Sequence, residues 1–498
     1  MPNRGSKPNT QRQMMGFFLS FSALLTLSAL FVAPIDALLP NFWKLLSSTQ
    51  SLIVDACAVA GLNGALLNAG LLGFICCFLY AISRARLAGV NIGAYFLTVG
   101  MSFFGKNCLN VWPIFLGAYL YCRVKKEPFG KHVHFALFGC ALAPFVSEML
   151  FPTGQHIPLA LGIALAFAVG VFIGFVMPPL STAVFQTHKG HNLYNAGLAA
   201  GLLGFAMFSI YRTLVLNPLG LEEAFTLNAV HSAGFPVFFP VLFGAAFTAC
   251  IVAGFFLNGR SFHGYRRMLH HTGYGVDHTM SGRFSVVLIN LGFLGLMFLA
   301  YALLIGAPFT GMTVGSLLCL VCWAGSGSTP RNTFPILIGY FIVSRVASWG
   351  LDAQPIMIGL CFATGLAPLA GRWGFGWGIV AGALHACFVT YTAAFHGGFN
   401  VYNGGFTSGL VAILLVPILE TFFADVPQKR RAREKRRMER MNMQRALAAI
   451  EAQEAAEAAL LRAEGEAPVP DPTPTVDADP PAPRTDAPEP DTDPVSAA

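Results

Sequence analysis

Apolar runs of about fifteen to twenty residues follow one another from residue 14 to residue 423, separated by short polar or Gly/Pro-containing breaks. Crossing the hydrocarbon core of a bilayer takes about 20 helical residues, so runs of this kind predict transmembrane helices. Fourteen are expected, at 14–33, 64–82, 87–104, 108–124, 133–151, 158–177, 196–211, 236–257, 285–304, 309–323, 333–348, 355–370, 374–392 and 404–423. Several are short for a full crossing, and whether 108–124 and its later counterpart cross or re-enter is open. The predicted fold class is an all-α integral membrane protein with 12 to 14 transmembrane helices.

Composition supports this. Only 11% of the residues are charged and the mean hydropathy is +0.61, whereas soluble domains carry about 25% charge. Of the 24 acidic residues, 16 lie at or after Glu420. A soluble enzyme, a secreted disulfide scaffold and a nucleic-acid-binding module are all excluded as the main reading. Among the eleven cysteines, Cys319 and Cys322 form a C-x-x-C within an apolar run, which reads as packing because no second pair with ligand spacing follows. No metal and no cofactor is predicted.

Orientation follows from the basic residues. Arg4, Lys7 and Arg12 precede the first run, which exceeds the usual 7–15-residue core of a signal peptide, so it is expected to be retained with its N-terminus in the cytoplasm. Arg84, Arg86, the stretch 123–131, Lys189, the stretch 260–283, Arg331, Arg372 and the run 429–440 then face the cytoplasm. Lys44, Lys106, Arg212 and Arg345 do not conform. The tail reads as a basic helix becoming an Ala/Glu helix up to about residue 463, its basic part lying on anionic lipid headgroups, followed by a disordered Pro/Asp/Ala segment from 464.

The most specific signal is a duplication. Residues 188–202 (HKGHNLYNAGLAAGL) and 396–410 (HGGFNVYNGGFTSGL) match at eight of fifteen positions, including the pairs His188/His396, Asn192/Asn400, Tyr194/Tyr402 and Asn195/Asn403. Upstream, Asn68 aligns with Asn290, Gly105 with Gly327, Asn110 with Asn332, Pro113 with Pro335 and Arg123 with Arg345. The expected division is an N-terminal helix and loop (1–60), repeat 1 (61–212), a connecting helix and basic His-rich loop (213–282), repeat 2 (283–424) and the tail. Six crossings per half and one connector place the second copy seven crossings after the first, and an odd shift inverts it. Transporters build alternative gates around a mid-membrane site from inverted repeats.

Each signature places His, Asn and Tyr-Asn directly before a Gly-spaced apolar helix. Gly197/Gly201 and Gly405/Gly409 are small-xxx-small pairs suited to close helix packing. Asn195 and Asn403 suit helix N-caps, but capping needs only one polar side chain per copy. The full set of His188, Asn192, Tyr194, Asn195, His396, Asn400, Tyr402 and Asn403 therefore reads as the wall of a polar permeation site, with backbone N–H groups exposed at broken-helix starts. Asn110 and Asn332 open the short Asn-x-aromatic-Pro-Ile segments, a second pointer to a binding site whose alternative is a Pro-initiated helix with a snorkelling Arg. Glu148 is placed near an interface, and the shortage of other buried carboxylates leans toward facilitated passage.

The duplicated His-x-Gly-x-Asn-x-Tyr-Asn-x-Gly block, with the Asn-x-aromatic-Pro-Ile block upstream, resembles an uncharacterised bacterial membrane-protein family catalogued as domain of unknown function 1576. The resemblance covers about residues 61–423, excluding the central loop, and implies a prokaryotic multi-pass protein of the inner membrane. A weaker likeness is to urea transporters, whose halves contain Tyr-Asn-Gly-like turns; Tyr402-Asn403-Gly404 fits, whereas that family's Thr-x-Pro-Phe element has no counterpart. The functional expectation is a secondary transporter or channel for a small polar solute, not an enzyme. The alternatives are a membrane-embedded enzyme using His188, His396 or the His-rich loop, and a scaffold recruiting partners through the tail. A homo-oligomer is compatible with this reading.

Overall fold

The computed structural model describes residues 8–50, 54–153, 157–221, 232–281 and 283–465. Ten helical stretches among these residues are long and apolar enough to cross a membrane. They are α1 (Pro8–Phe31), α3 (Ala56–Ile82), the pair α6 (Val133–Gly139) and α7 (Ala143–Leu150), α8 (Leu159–Thr187), α9 (Asn195–Tyr211), α10 (Phe238–Leu257), α12 (Phe284–Leu304), the pair α15 (Gln354–Ala363) and α16 (Ala367–Trp373), α17 (Phe375–Thr392) and α18 (Asn403–Phe422). Two short helices, α2 (Leu38–Leu46) and α11 (Tyr265–Leu269), precede α3 and α12. The tail forms one long helix, α19 (Val426–Gly465), as its Gly-poor sequence predicts; the segment expected to be disordered after it lies outside the described residues.

The remaining four helices explain the short segments. In the first half α4 (Gly89–Gly100) and α5 (Trp112–Lys125) form a hairpin, because Gly130 after α5 packs against Ser83 and Ala85 before α4. In the second half α13 (Gly311–Val321) and α14 (Pro330–Ser344) do the same: Gln354 after α14 hydrogen-bonds to Thr310 before α13. A helix that enters and returns leaves the chain on the face it left. Removing both hairpins therefore changes the number of crossings but not its parity.

The hairpin tips hang from the middle of α3 and α12 by equivalent side chains. Asn68 Nδ2 donates to the carbonyls of Ser102 and Lys106 at 3.0 and 2.9 Å, and Asn290 Nδ2 to those of Ala324 and Ser328 at 2.9 and 2.8 Å. One difference is covalent in origin. Asn68 Oδ1 accepts the Cys108 N–H, but the corresponding residue is Pro330, which has no N–H, and Asn290 Oδ1 is left buried without a partner.

The structural unit of repetition is longer than the sequence match. Gly70 and Gly73 of α3 are packed against Ser22 and Thr26 of α1, and Gly292 and Gly295 of α12 against Phe247 and Ile251 of α10. Helix α10, expected to be a connector, thus stands to α12 as α1 stands to α3. Each half then holds five crossings, and the odd number preserves the inversion argument. The contacts agree with it, since equivalent helices pass one another in opposite senses. Gly93 of α4 meets Trp323 beyond α13, and Gly100 meets Gly315 and Cys319 within α13.

Side-chain contacts also sort the loops. Gln11–Leu87, Gly89–Asp277, His191–Arg372 and Lys189–Glu420 bring the α1 start, the 83–88 loop, the His-rich loop and the α18 end onto one face. Asn41–Asn63, Thr49–Glu148 and Asp55–Ala233 lie on the other. The first face holds the loops with Arg84, Arg86, Lys189, Arg266, Arg267 and Arg372, as the charge pattern anticipates.

Several boundaries differ: α1 and α3 begin at Pro8 and Ala56, six and eight residues before the expected starts, and α8 ends later. Helix α8 was expected to stop at Met177, before two prolines, yet continues through Pro178 and Pro179 to Thr187. The two prolines leave the Gly174 and Phe175 carbonyls without their helical N–H donors, and Thr182 Oγ1 adds a bond to the Pro178 carbonyl at 2.9 Å in the turn that follows.

Candidate functional site

The two signatures meet at the crossing of α9 and α18. Gly197 lies so close to Gly405 that a Cβ on it would stand 2.8 Å from the Gly405 backbone, while Gly201 faces Phe406 and Gly409 faces Leu198. Gly204, further along α9, lies beside His396 and Asn400, which precede α18, so these helices also run in opposite senses. Tyr194 and Tyr402 face each other edge-on at the crossing, with ring centroids 5.5 Å apart.

Both signatures use the same turn. Asn192 Oδ1 accepts the Tyr194 N–H and Asn400 Oδ1 the Tyr402 N–H, each at 3.0 Å. This Asx-type bond leaves both Nδ2 groups buried without a partner. Asn195 and Asn403 are the first helical residues rather than the N-caps, which are Tyr194 and Tyr402.

Each signature docks on the broken helix of the opposite half. Between α6 and α7, and between α15 and α16, a tight turn interrupts the crossing at residues 140–142 and 364–366. Leu193 N–H donates to the Gly365 carbonyl at 2.9 Å, and Val401 N–H to the equivalent Ala141 carbonyl at 3.1 Å. Two half-sites result. One joins the α4–α5 tip, the α6–α7 break and signature 396–403; the other joins the α13–α14 tip, the α15–α16 break and signature 188–195.

Equivalent residues are not equally bonded. His188 Nδ1 accepts from the Gly190 and Asn192 N–H groups, so Nε2 carries the proton and donates to Asn195 Oδ1 at 2.9 Å; Asn195 Nδ2 donates on to the Ser181 carbonyl. Tyr194 Oη donates to the Cys319 carbonyl at 2.8 Å, across the halves. In the second copy Tyr402 Oη and Asn403 Oδ1 are buried without partners. Neither His396 ring nitrogen makes a hydrogen bond of ordinary geometry, its polar contacts being with the backbone of Gly201 and Thr392. The first signature is also tied to its face by charge. Lys189 pairs with Glu420 at 2.5 Å, and Arg372 bonds His191 at 2.8 Å and Asp425 at 3.3 Å. Burial first, and then the Arg372 guanidinium, pull the His191 pKa down to about 4, and burial lowers that of His188. The second signature is held by a stack of Phe399 on Phe145 at 4.6 Å.

Asn110 and Asn332 lie in the hairpin tips, and their amides hold those tips together. Asn110 donates to the Gly105 carbonyl and Ser147 Oγ and accepts from Asn107 N–H; Asn332 donates to the Gly327 carbonyl and accepts from Thr329 N–H. Glu148 is fully buried among neutral donors, Thr49, Thr153 and Tyr211, near the end of α7. Cys319 and Cys322 are free, buried thiols. No group of three His, Cys, Asp or Glu residues able to hold a metal occurs among the described residues. The His-rich loop borders a separate cavity of about 310 Å³ together with Arg331 and Asn332.

Lys106 was not singled out as a site residue. It is fully buried in the α4–α5 tip, and its Nζ makes one long hydrogen bond, 3.4 Å, to the Leu137 carbonyl. The available signal was its failure to fit the distribution of basic residues, since a Lys at membrane depth points to function by default.

Ten apolar stretches, two hairpins and a duplicated, cross-docked polar signature define a multi-pass helical membrane protein built from two related halves. The chain belongs to the family described as Protein of unknown function (DUF1576), whose model matches residues 35–213 and 257–421. No curated protein and no solved structure matches it, so the likeness to urea transporters gains no support.

Proposed function

We propose that the protein is a secondary transporter or channel for a small polar solute, and that the two half-sites are alternative ends of one permeation path. The observation that carries this reading is the unequal bonding of two otherwise equivalent signatures. In the first copy His188, Tyr194 and Asn195 are mutually or cross-half bonded; in the second His396, Tyr402 and Asn403 retain unused buried polar atoms. Exchanging the bonding states of two inverted copies interchanges which end is latched, which is the geometry of alternating access. Buried polar groups without partners are costly in a low-dielectric interior and are retained where a ligand or a second conformation uses them. The signature side chains His188, Asn192, Tyr194, Asn195, His396, Asn400, Tyr402 and Asn403 then line the path, while Asn110 and Asn332 position the hairpin tips.

The test is solute flux into liposomes containing the full chain. Replacing His188 or His396 by Ala is expected to reduce flux in both cases, and cysteines placed beside Asn192 and Asn400 should be labelled from opposite sides of sealed vesicles. Labelling of both from one side, or catalytic turnover without flux, refutes the proposal.

A further inference from the structure

We infer that the half-site around the α4–α5 tip is a binding site for a small monovalent anion, with Lys106 as its counter-charge. This rests on the permeation reading and names the class of solute. Lys106 is fully buried, and no carboxylate lies within ion-pair distance of it among the described residues. The titratable groups around it are the buried, neutral thiols of Cys140, Cys319 and Cys76. In its protonated form the side chain carries three donors and no acceptor, and the single bond to Leu137 leaves two of them for a bound anion.

The surroundings add unpartnered donors but no second charge. Leu137, which receives the Lys106 bond, stands four residues before Ala141, which receives the Val401 N–H, so the ammonium and the second signature attach to the same break about one helical turn apart. Gly105 next to Lys106 packs on Val401 itself. On either side of Val401, Asn400 Nδ2 and Tyr402 Oη are buried and unpartnered. Tyr402 meets Tyr194, whose hydroxyl bonds the Cys319 carbonyl, and Cys319 packs on Gly100 at the end of α4 that leads into the Lys106 tip. A cation, an amide N–H₂ and a hydroxyl without a carboxylate suit an oxyanion or halide better than a neutral amide, because the unpartnered acceptor of the same signature, Asn403 Oδ1, is neutral and cannot balance the charge on the lysine. The symmetry-related position holds Ser328, whose Oγ is buried and unpartnered, so the charge marks one half-site only.

The experiment uses the purified full-length chain and methanesulfonate, which is charged at every working pH, with its neutral counterpart methanesulfonamide; chloride and formate are included to separate inorganic from carboxylate binding. Thermal stability is measured at constant ionic strength with gluconate as the bulky reference anion, and flux is measured in liposomes. At least one of the three small anions is expected to raise the wild-type melting temperature and to cross the membrane, whereas methanesulfonamide does neither. Lys106→Met should abolish the stabilisation and lower anion flux at least tenfold. Because Met replaces the buried amine with an apolar side chain only one atom shorter, the ligand-free variant should melt no lower than wild type, which separates a lost site from a lost fold. Stabilisation and flux by methanesulfonamide alone, or unchanged anion flux in Lys106→Met, overturns the anion site and leaves the transport reading standing. Anion stabilisation that Lys106→Met abolishes, without flux, keeps the site and overturns transport. No response to any probe overturns both.

Discussion

The crossing of α9 and α18 makes a quantitative prediction. A Cβ introduced by Gly197→Ala would stand 2.8 Å from the Cα and carbonyl carbon of Gly405 and 3.0 Å from a ring carbon of Tyr402. Carbon atoms settle at about 3.5–4.0 Å, so the two backbones must separate by roughly 0.7–1.2 Å, and neither can rotate aside. A gap of about 0.5–1 Å forfeits a quarter to a half of each contact, and overpacking of a tight interface costs about 1–3 kcal/mol. Better helix propensity of Ala over Gly returns at most about 1 kcal/mol. Because neither backbone can rotate aside, the upper part of that range, about 2–3 kcal/mol, applies and the expected net loss is about 1–2 kcal/mol. Gly244→Ala in α10 is the matched comparison, since its Cβ would meet only Leu299, at an ordinary 3.5 Å. The assay is thermal denaturation of both full-length variants in detergent, monitored by loss of the monodisperse peak on size exclusion. If Gly197→Ala melts with wild type, or the two variants behave alike, the signatures are not held back to back as described.

Three more predictions use comparisons within the molecule. Asn68→Leu should cost about 1 kcal/mol more than Asn290→Leu, because Asn68 Oδ1 accepts the Cys108 N–H that Pro330 denies Asn290; equal melting temperatures would refute this. Tyr194→Phe should lower stability by about 1 kcal/mol through loss of the bond to Cys319, whereas Tyr402→Phe, which removes an unpartnered hydroxyl, should leave it unchanged or raised in the same melts. The His191 pKa is lowered from 6.5 to about 4, so between those values the unfolded state binds more protons than the folded one. Its contribution is therefore complete above about pH 6.5 and lost as pH falls toward 4, up to about 3 kcal/mol. His191→Gln should flatten the melting-temperature profile across that window, and an unchanged slope would show that the residue does not titrate with unfolding.

Hydrophobic runs alone predicted the helices, because a bilayer offers no hydrogen-bond partners and admits little else. Polar identity in apolar surroundings exposed the duplication, since shared composition does not reproduce His, Asn and Tyr-Asn at fixed spacing. The relation of α10 to α1 was not legible: lipid-facing helices keep apolar character without keeping particular residues, and the equivalence survives only in the glycines of α3 and α12 against which they pack. The hairpins were hidden because a run of fifteen apolar residues is the same string whether it crosses or turns back; the Asn68 and Asn290 bonds from mid-helix fix the tips in depth. Which signature meets which broken helix was equally beyond the chain order, as the Leu193–Gly365 and Val401–Ala141 bonds join opposite halves. The sequence by itself determined that polar elements occur twice. Tertiary structure decided that they face each other unequally bonded, with one lysine on one side, because burial and hydrogen-bond partnership belong to contacts between segments far apart in the chain.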